Sequence, residues 1–337
     1  MSKSIRRGRI AVIAATLVAL LSGCAADSGT DANQEPVAKI NFGYITDFNG
    51  TSLLAVAKDL GLWEKYNIDA NYFTFTNGPL QIQAMGAGDL DFGYIGPGAF
   101  WLPASGEAKF ISLNTIGNAD RVIVRADSGI TSMEQLRGKE VAFPAGTSGE
   151  QILNLALERA GMTQADIVPV IMDPSTLVAA FSSGQIEAAG IWYPNVEVIK
   201  QAVDIVELAG NADFEDTIAF PNAFVASNAI VEQNPELVSK VQAVLKEAND
   251  FRYNNLDKTI ELVAAQLALE VDVVTKDAAN AKYLSTAELE AIVTDGTLIK
   301  WLDALNANFV KAERFPEAPD AASTFLIDSY LAATPIE

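Results

Sequence analysis

Three short segments of this 337-residue chain place small, hydroxyl-bearing and aromatic residues where a strand hands over to a helix. Pro144-Ala145-Gly146-Thr147-Ser148-Gly149 offers two hydroxyls, with glycines that let a ligand approach the backbone. Ile95-Gly96-Pro97-Gly98-Ala99-Phe100 brackets a proline with glycines, and Ile191-Trp192-Tyr193-Pro194-Asn195 brings two aromatics to a strand end. Phe48 and Asn49, ahead of the first helical stretch, and Asn222, after Phe220-Pro221, are further candidates. The chemistry such loops support is anion capture. The first N–H groups of a helix lack intrahelical partners, and the helix dipole favours negative charge there. Simpler readings stand beside it. Thr147 with Glu150, or Ser148 with Gln151, has the spacing of a capping box. Gly96-Pro97-Gly98 could be a tight turn, and Trp192 could be a core residue.

The same inventory excludes much. With no histidine and a single cysteine, a His-ligated metal site, a Ser-His-Asp triad, a Cys-His pair and an intrachain disulfide are ruled out. No phosphate-binding loop, G-x-G-x-x-G fingerprint or G-x-S-x-G elbow occurs. No catalytic residue, metal ligand or cofactor site is therefore assigned. The 43 acidic residues outnumber 23 Lys and Arg, for a net charge of −20, which argues against nucleic acid as a partner. Half the chain is apolar, enough to bury about two domains' worth of core.

Lys3, Arg6, Arg7 and Arg9 precede the apolar stretch Ile10 to Leu21. That stretch is too short for the roughly 20 residues of a membrane span and reads as the core of a signal peptide, residues 1–23. Leu21-Ser22-Gly23-Cys24 resembles the lipobox of bacterial lipoproteins, in which the cysteine is lipidated and begins the mature chain. Acyl chains contribute about 0.8 kcal/mol per buried methylene to bilayer anchoring. Residues 24–37 read as a flexible tether. The expectation is an exported, monomeric protein leashed to the outer face of the bacterial cytoplasmic membrane.

From Lys39 onward short apolar strands alternate with helical stretches, as in α/β folds. Strands are expected at Lys39–Ile45, Leu90–Ile95, Glu140–Phe143, Val168–Met172, Ile186–Trp192 and Ile205–Leu208. Helices are expected at Ser52–Tyr66, Pro79–Met85 and Gly149–Ala160, with helical periodicity dominating after Asn234-Pro235. One unit recurs: Ala84 to Asp91 lines up with Ala180 to Glu187, a helix stopped at glycine before a strand, and Pro97 and Pro194 follow. Both copies end at a strand carboxyl end, where open α/β sheets bind ligands.

Taken in order, Gly43-Tyr44, Gly88-Asp89-Leu90-Asp91-Phe92-Gly93-Tyr94-Ile95-Gly96, Gly138-Lys139-Glu140-Val141-Ala142-Phe143 with Thr147-Ser148-Gly149, and Gly184-Gln185-Ile186-Glu187-Ala188 with Ile191-Trp192-Tyr193-Pro194 resemble the substrate-binding proteins of nitrate/sulfonate/taurine ABC importers. The resemblance implies a type II periplasmic-binding-protein-like α/β fold with a ligand cleft between two lobes. Lobe 1 would hold residues 38–125 and be completed by 223–337; lobe 2 would hold 126–222. It further implies delivery of a small solute to permease and ATPase subunits, with the oxyanion held at Gly96 to Gly98 and Thr147-Ser148. Many sulfonate and taurine binders carry Trp-Asp-Pro where this chain has Trp192-Tyr193-Pro194, so the carboxylate that can meet a ligand amine is missing there. The expected ligand is a small organic sulfonate or related oxyanion. A neutral heterocycle such as a pyrimidine, stacked on Phe48, Trp192 or Tyr193, is the alternative; an enzyme on the same scaffold is the more distant one.

Overall fold

The computed structural model describes residues 36–336. The expected signal peptide, Cys24 and the expected tether up to residue 35 lie outside the described residues. Among the described residues no helix is long and apolar enough to cross a membrane.

Among the described residues eleven strands form two sheets: β1 (Ala38–Ile45), β2 (Ile68–Phe75), β3 (Phe92–Ile95), β4 (Ala108–Gly117), β5 (Asp120–Arg125), β6 (Glu140–Phe143), β7 (Val168–Ile171), β8 (Ala188–Trp192), β9 (Ile205–Gly210), β10 (Pro221–Ser227) and β11 (Ala281–Lys282). The first sheet has the order β11-β4-β10-β3-β1-β2 and the second β7-β6-β8-β5-β9. A common plan underlies both. In the first, β1 pairs in parallel with β2 and β3, and β10 lies antiparallel beside β3. In the second, β6 pairs in parallel with β7 and β8, and β5 lies antiparallel beside β8. Helices Phe48–Asp59 and Gly78–Ala87 connect β1, β2 and β3; Ser148–Arg159 and Pro174–Ser182 connect β6, β7 and β8. The recurring unit seen in the sequence is the last helix and strand of each copy. Its glycines, Gly88 (φ 83°) and Gly184 (φ 78°), take the left-handed conformation that ends a helix without a Cβ penalty.

The chemistry of the chain explains these elements. Every residue of β3 and β8 is buried, which suits apolar central strands covered on both faces. Asp47, Asn77 and Asp173 cap their helices by accepting from the N–H groups of Gly50, Leu80 and Ser175. The 20-residue helix Pro235–Asn254 is capped by Asn234, which accepts from the Leu237 N–H, and packs in the core under the first sheet.

Several boundaries differ from the sequence expectation. The first helix starts at Phe48, not Ser52, because Asp47 supplies the cap, and Gly61 at φ 62° separates it from a short turn, Leu62–Lys65. β2, β4, β5, β10 and β11 have no counterpart among the expected strands, and the helix Val271–Ala278 falls in the region expected to be helical without having been delimited there. β2 is an edge strand with much of its length exposed. β4 interleaves Ser112, Asn114 and Thr115 with apolar residues, and the fold satisfies that polarity from elsewhere. Arg252, wholly buried, donates to Asn114 Oδ1 (2.7 Å), Asn114 O (2.9 Å), Ser52 Oγ (2.9 Å) and Asn249 Oδ1 (2.7 Å). The chain leaves the first sheet after Gly117 and enters the second at Asp120, so β5 belongs to the second sheet although the expected boundary falls after residue 125. It returns at Pro221.

Candidate functional site

The shared plan dictates where a site can form. The carboxyl ends of β1, β3, β6 and β8 lead into Asp47-Phe48-Asn49, Gly96-Pro97-Gly98, Thr147-Ser148 and Tyr193-Pro194. The two crossing strands β5 and β10 run antiparallel to their neighbours, so they begin where the others end, and Asp120 and Asn222 join the same ring. A cleft of about 40 Å³ lies inside it, lined from both lobes by residues including Asp47, Asn49, Tyr94, Gly96, Asp120, Thr147, Ser148, Trp192, Tyr193 and Asn222. That is room for about three waters. A larger groove of about 700 Å³ opens outside the ring, between the Ser148–Arg159 helix and residues 308–314. It includes Gly98 and Thr147 but none of the cleft's aromatic side chains.

Seven of the eleven candidate ligand-binding residues line the cleft: Asn49, Gly96, Thr147, Ser148, Trp192, Tyr193 and Asn222. The other four sit differently. Phe48 is wholly buried against Tyr283, with ring centroids 5.6 Å apart, so it does not offer a stacking face to the cleft. Pro97 is buried in a short 3-10 turn. Gly98 lies on the amino end of the Ser148–Arg159 helix, and Gly149 packs on β8, where a Cβ would meet Gly190 O at 2.6 Å.

Neither capping box expected at residues 147–151 forms. Thr147 makes no capping bond, its hydroxyl donating instead to Pro144 O at 2.7 Å. Glu150 turns away from the cleft to accept from the Gly146 N–H (2.6 Å) and Gln164 Nε2 (3.1 Å) and to pair with Arg314. The Gln151 amide has no partner among the described residues. The first turn of a 12-residue helix therefore presents its N–H groups to the cleft without a side-chain cap.

The remaining polar groups are acceptors that the sequence reading missed. Asp47 Oδ1 accepts from the Gly50 N–H at 2.6 Å, and Asp277, from the helix Val271–Ala278, accepts from the Phe48 N–H at 2.7 Å. Burial pushes Asp277 up to about 7. Asp47 is raised well above the usual carboxylate range, by burial first and by the neighbouring Asp277 second. Asp120 is also raised by burial, against hydrogen bonds from Ser148 and Asn211 that favour its ionised form. Asn211 Nδ2 donates to Asp120 Oδ2 at 2.9 Å, and the Asp120 N–H donates to Asn211 Oδ1 at 2.6 Å. Asn49 is fixed through its carbonyl, which accepts from Asn114 Nδ2 at 2.8 Å, and its own Oδ1 is buried without a partner. Asn222 Nδ2 donates to Thr115 Oγ1 at 2.9 Å. Among the described residues no lysine or arginine lines the cleft, although Arg121, packed behind Tyr193, favours the ionised form of Asp120. Among 43 acidic residues, only the antiparallel start of β5 could have marked Asp120 in advance.

The aromatic wall is held from outside. Tyr193 Oη accepts from Lys200 Nζ (2.5 Å) and donates to Glu207 Oε1 (3.2 Å), while the Arg121 guanidinium lies 5.4 Å from its ring centroid.

Two α/β lobes of one plan, meeting at a cleft ringed by strand ends and a helix amino terminus, are the architecture of the periplasmic binding proteins. Comparison with known proteins agrees: the chain belongs to the NMT1/THI5-like family, whose model matches residues 49–258. It is 47% identical over 294 residues to a binding protein of Brucella abortus (strain 2308), covering 87% of this chain and 92% of that one. An aliphatic sulfonates-binding protein of Bacillus subtilis (strain 168) is 26% identical over 302 residues, 86% of each chain. Among solved structures, the periplasmic aliphatic sulphonate binding protein SsuA from Escherichia coli superposes with a TM-score of 0.66 at 22% identity, covering 87% of this chain and 99% of that one.

Proposed function

We propose that this chain is the extracytoplasmic solute-binding component of an ABC import system. It captures a small organic sulfonate or related oxyanion between its lobes and delivers it to the permease and ATPase subunits. The observation that carries this reading is the uncapped amino end of the Ser148–Arg159 helix, which faces the cleft across from Gly96 and Asn222. Backbone N–H groups are the donors a sulfonate oxygen needs, and the Ser148 hydroxyl joins them if it turns from Asp120 to the ligand. The likeness to sulfonate binders supports the ligand class. The protein acts by binding and release, with lobe closure as the hinge motion, and not by turnover.

Export and anchoring belong to the same proposal. Residues 1–23 direct secretion, Cys24 carries the lipid, and the tether lets the lobes reach the permease as a monomer. Loss of the protein from the membrane fraction in a Cys24→Ser variant checks the anchor.

A thermal-shift panel of alkanesulfonates, nitrate, sulfate, phosphonates and pyrimidines on that soluble variant tests the function. A ligand at 100 times its dissociation constant adds about 2.7 kcal/mol, several degrees for a chain of this size. A shift with pyrimidines and none with oxyanions overturns the ligand class. Consumption of the ligand during the assay overturns the binding role.

A further inference from the structure

The groove outside the ring has its own chemistry. At about 700 Å³ it is the size of a small-molecule pocket, and its lining shares Thr147 alone with the cleft. One wall is the outer face of the Ser148–Arg159 helix, where Gln151, Asn154, Leu155 and Glu158 follow at the spacing of a single helical face. Residues 308–314 form the other wall. Four of the charged groups there are matched, Glu150 with Arg314 and Glu158 with Lys311, and Glu313 is exposed. Met162 and Phe309, both buried, supply an apolar floor. The carboxamides of the lining are bonded too: Gln164 Nε2 donates to Asn154 Oδ1 at 2.8 Å, and Asn308 Nδ2 to Ala304 O at 2.9 Å. Gln151 is the exception. It is 7% exposed, and neither its Oε1 nor its Nε2 has a partner among the described residues. A buried amide with donor and acceptor both unused costs stability.

We propose that this groove is a second binding site, for an uncharged carboxamide with an apolar flank, and that the Gln151 amide recognises it. A carboxamide returns a donor to Oε1 and an acceptor to Nε2 from one planar group. Turning the Gln151 side chain toward an occupant breaks no hydrogen bond, because it makes none. The apolar flank lies on Leu155, Met162 and Phe309. A charged solute has to compete with two ion pairs that already satisfy the charges of the lining. The site stands apart from the oxyanion reading, since neither the cleft's aromatic side chains nor Asp47 and Asp120 reach the groove.

The test is calorimetric titration of the full chain carrying Cys24→Ser with N-acetylphenylalaninamide and with N-acetylphenylalanine, the same molecule ending in a carboxylate. Three variants are titrated alongside, with unliganded melting temperatures: Gln151→Met, which removes the amide at similar length, Leu155→Trp, which fills the groove from a half-buried position, and Asn49→Ala, which alters the cleft alone. The expected result is that the amide binds at least tenfold tighter than the carboxylate. That binding falls at least tenfold in Gln151→Met and in Leu155→Trp and changes less than twofold in Asn49→Ala. Unliganded Gln151→Met melts above the parent, because an unpartnered buried amide has gone. Equal binding of the two probes overturns the uncharged-amide class. Binding that survives both groove substitutions, or that is lost in Asn49→Ala, overturns the location. A Gln151→Met chain that melts below the parent shows the amide to be satisfied without a ligand and overturns its role. Silence from N-acetylphenylalaninamide overturns the site and leaves the oxyanion reading untouched.

Discussion

Gly98 of the first lobe rests directly on the amino end of the second lobe's Ser148–Arg159 helix: a Cβ at Gly98 would stand 2.1 Å from Ser148 N and 2.1 Å from the Thr147 carbonyl carbon. No side chain fits between those two backbones. The two backbones thus meet at the helix end that faces the cleft.

Gly98→Ala is therefore expected to hold the lobes apart. Ligand affinity falls at least tenfold, because the competent closed state becomes a minor population, while the unliganded melting temperature changes little. Small-angle scattering should show a radius of gyration that no longer shrinks on adding ligand. Normal compaction and affinity in Gly98→Ala would remove the contact from the closing mechanism.

Ser148→Ala tests the helix end itself. The hydroxyl lines the cleft and hydrogen-bonds Asp120. Its loss is expected to weaken binding by about 1 kcal/mol or more, on the scale of a hydrogen bond to a charged group, read by calorimetry. Unchanged affinity with lowered stability would reduce Ser148 to a structural role.

The pair of buried carboxylates at the start of the Phe48–Asp59 helix sets a pH dependence. Asp277 titrates near 7 in the folded chain against 3.8 ordinarily, and Asp47 is raised in the same direction. Between those values the folded chain holds protons that the unfolded chain has released. These groups accordingly favour folding most at low pH, and that contribution is lost as pH rises from about 4 through 7. Arg252 and Tyr283 lie behind the pair, and Arg252 makes its hydrogen bonds to neutral acceptors. Asp277→Asn keeps the acceptor for Phe48 N–H and should be more stable than the parent at pH 8, with a flatter profile from pH 5 to 8. Denaturant midpoints across that range check it, and parallel profiles would contradict it.

Arg314 pairs with Glu150 across the lobes and lies 5.2 Å from the Trp101 ring. Both partners are largely buried, whereas the neighbouring Lys311–Glu158 pair (2.6 Å) is more than half exposed on each side. Exposed pairs contribute little. Arg314→Gln should weaken ligand binding about three- to tenfold and Lys311→Gln less than twofold, since a buried carboxylate left unpaired is the costlier loss. Equal effects in calorimetric titrations would show that neither pair discriminates the closed form.

What the sequence determined by itself was carried by local chemistry. Asn77 and Asn234 sit at their helix caps as side-chain acceptors do. Buried apolar runs became central strands, and residues of the small-residue loops after β3 and β6 and of the aromatic pair at the end of β8 landed at the cleft. Those features depend on neighbours within a few residues, so a linear reading finds them. Only the tertiary structure decided the rest. It turned Glu150 toward Arg314, which left the helix end uncapped, and sent Phe48 into the core against Tyr283. β4 kept its polar residues because Arg252, 138 positions from Asn114, arrives to satisfy them. Above all, the antiparallel crossing strands carried Asp120 into the ring of parallel strand ends, and a helix more than 200 residues away brought Asp277 to Phe48. One carboxylate among 43 looks like any other until the fold removes its water. Burial, which no local pattern encodes, separates the acids of the cleft from the acids of the surface.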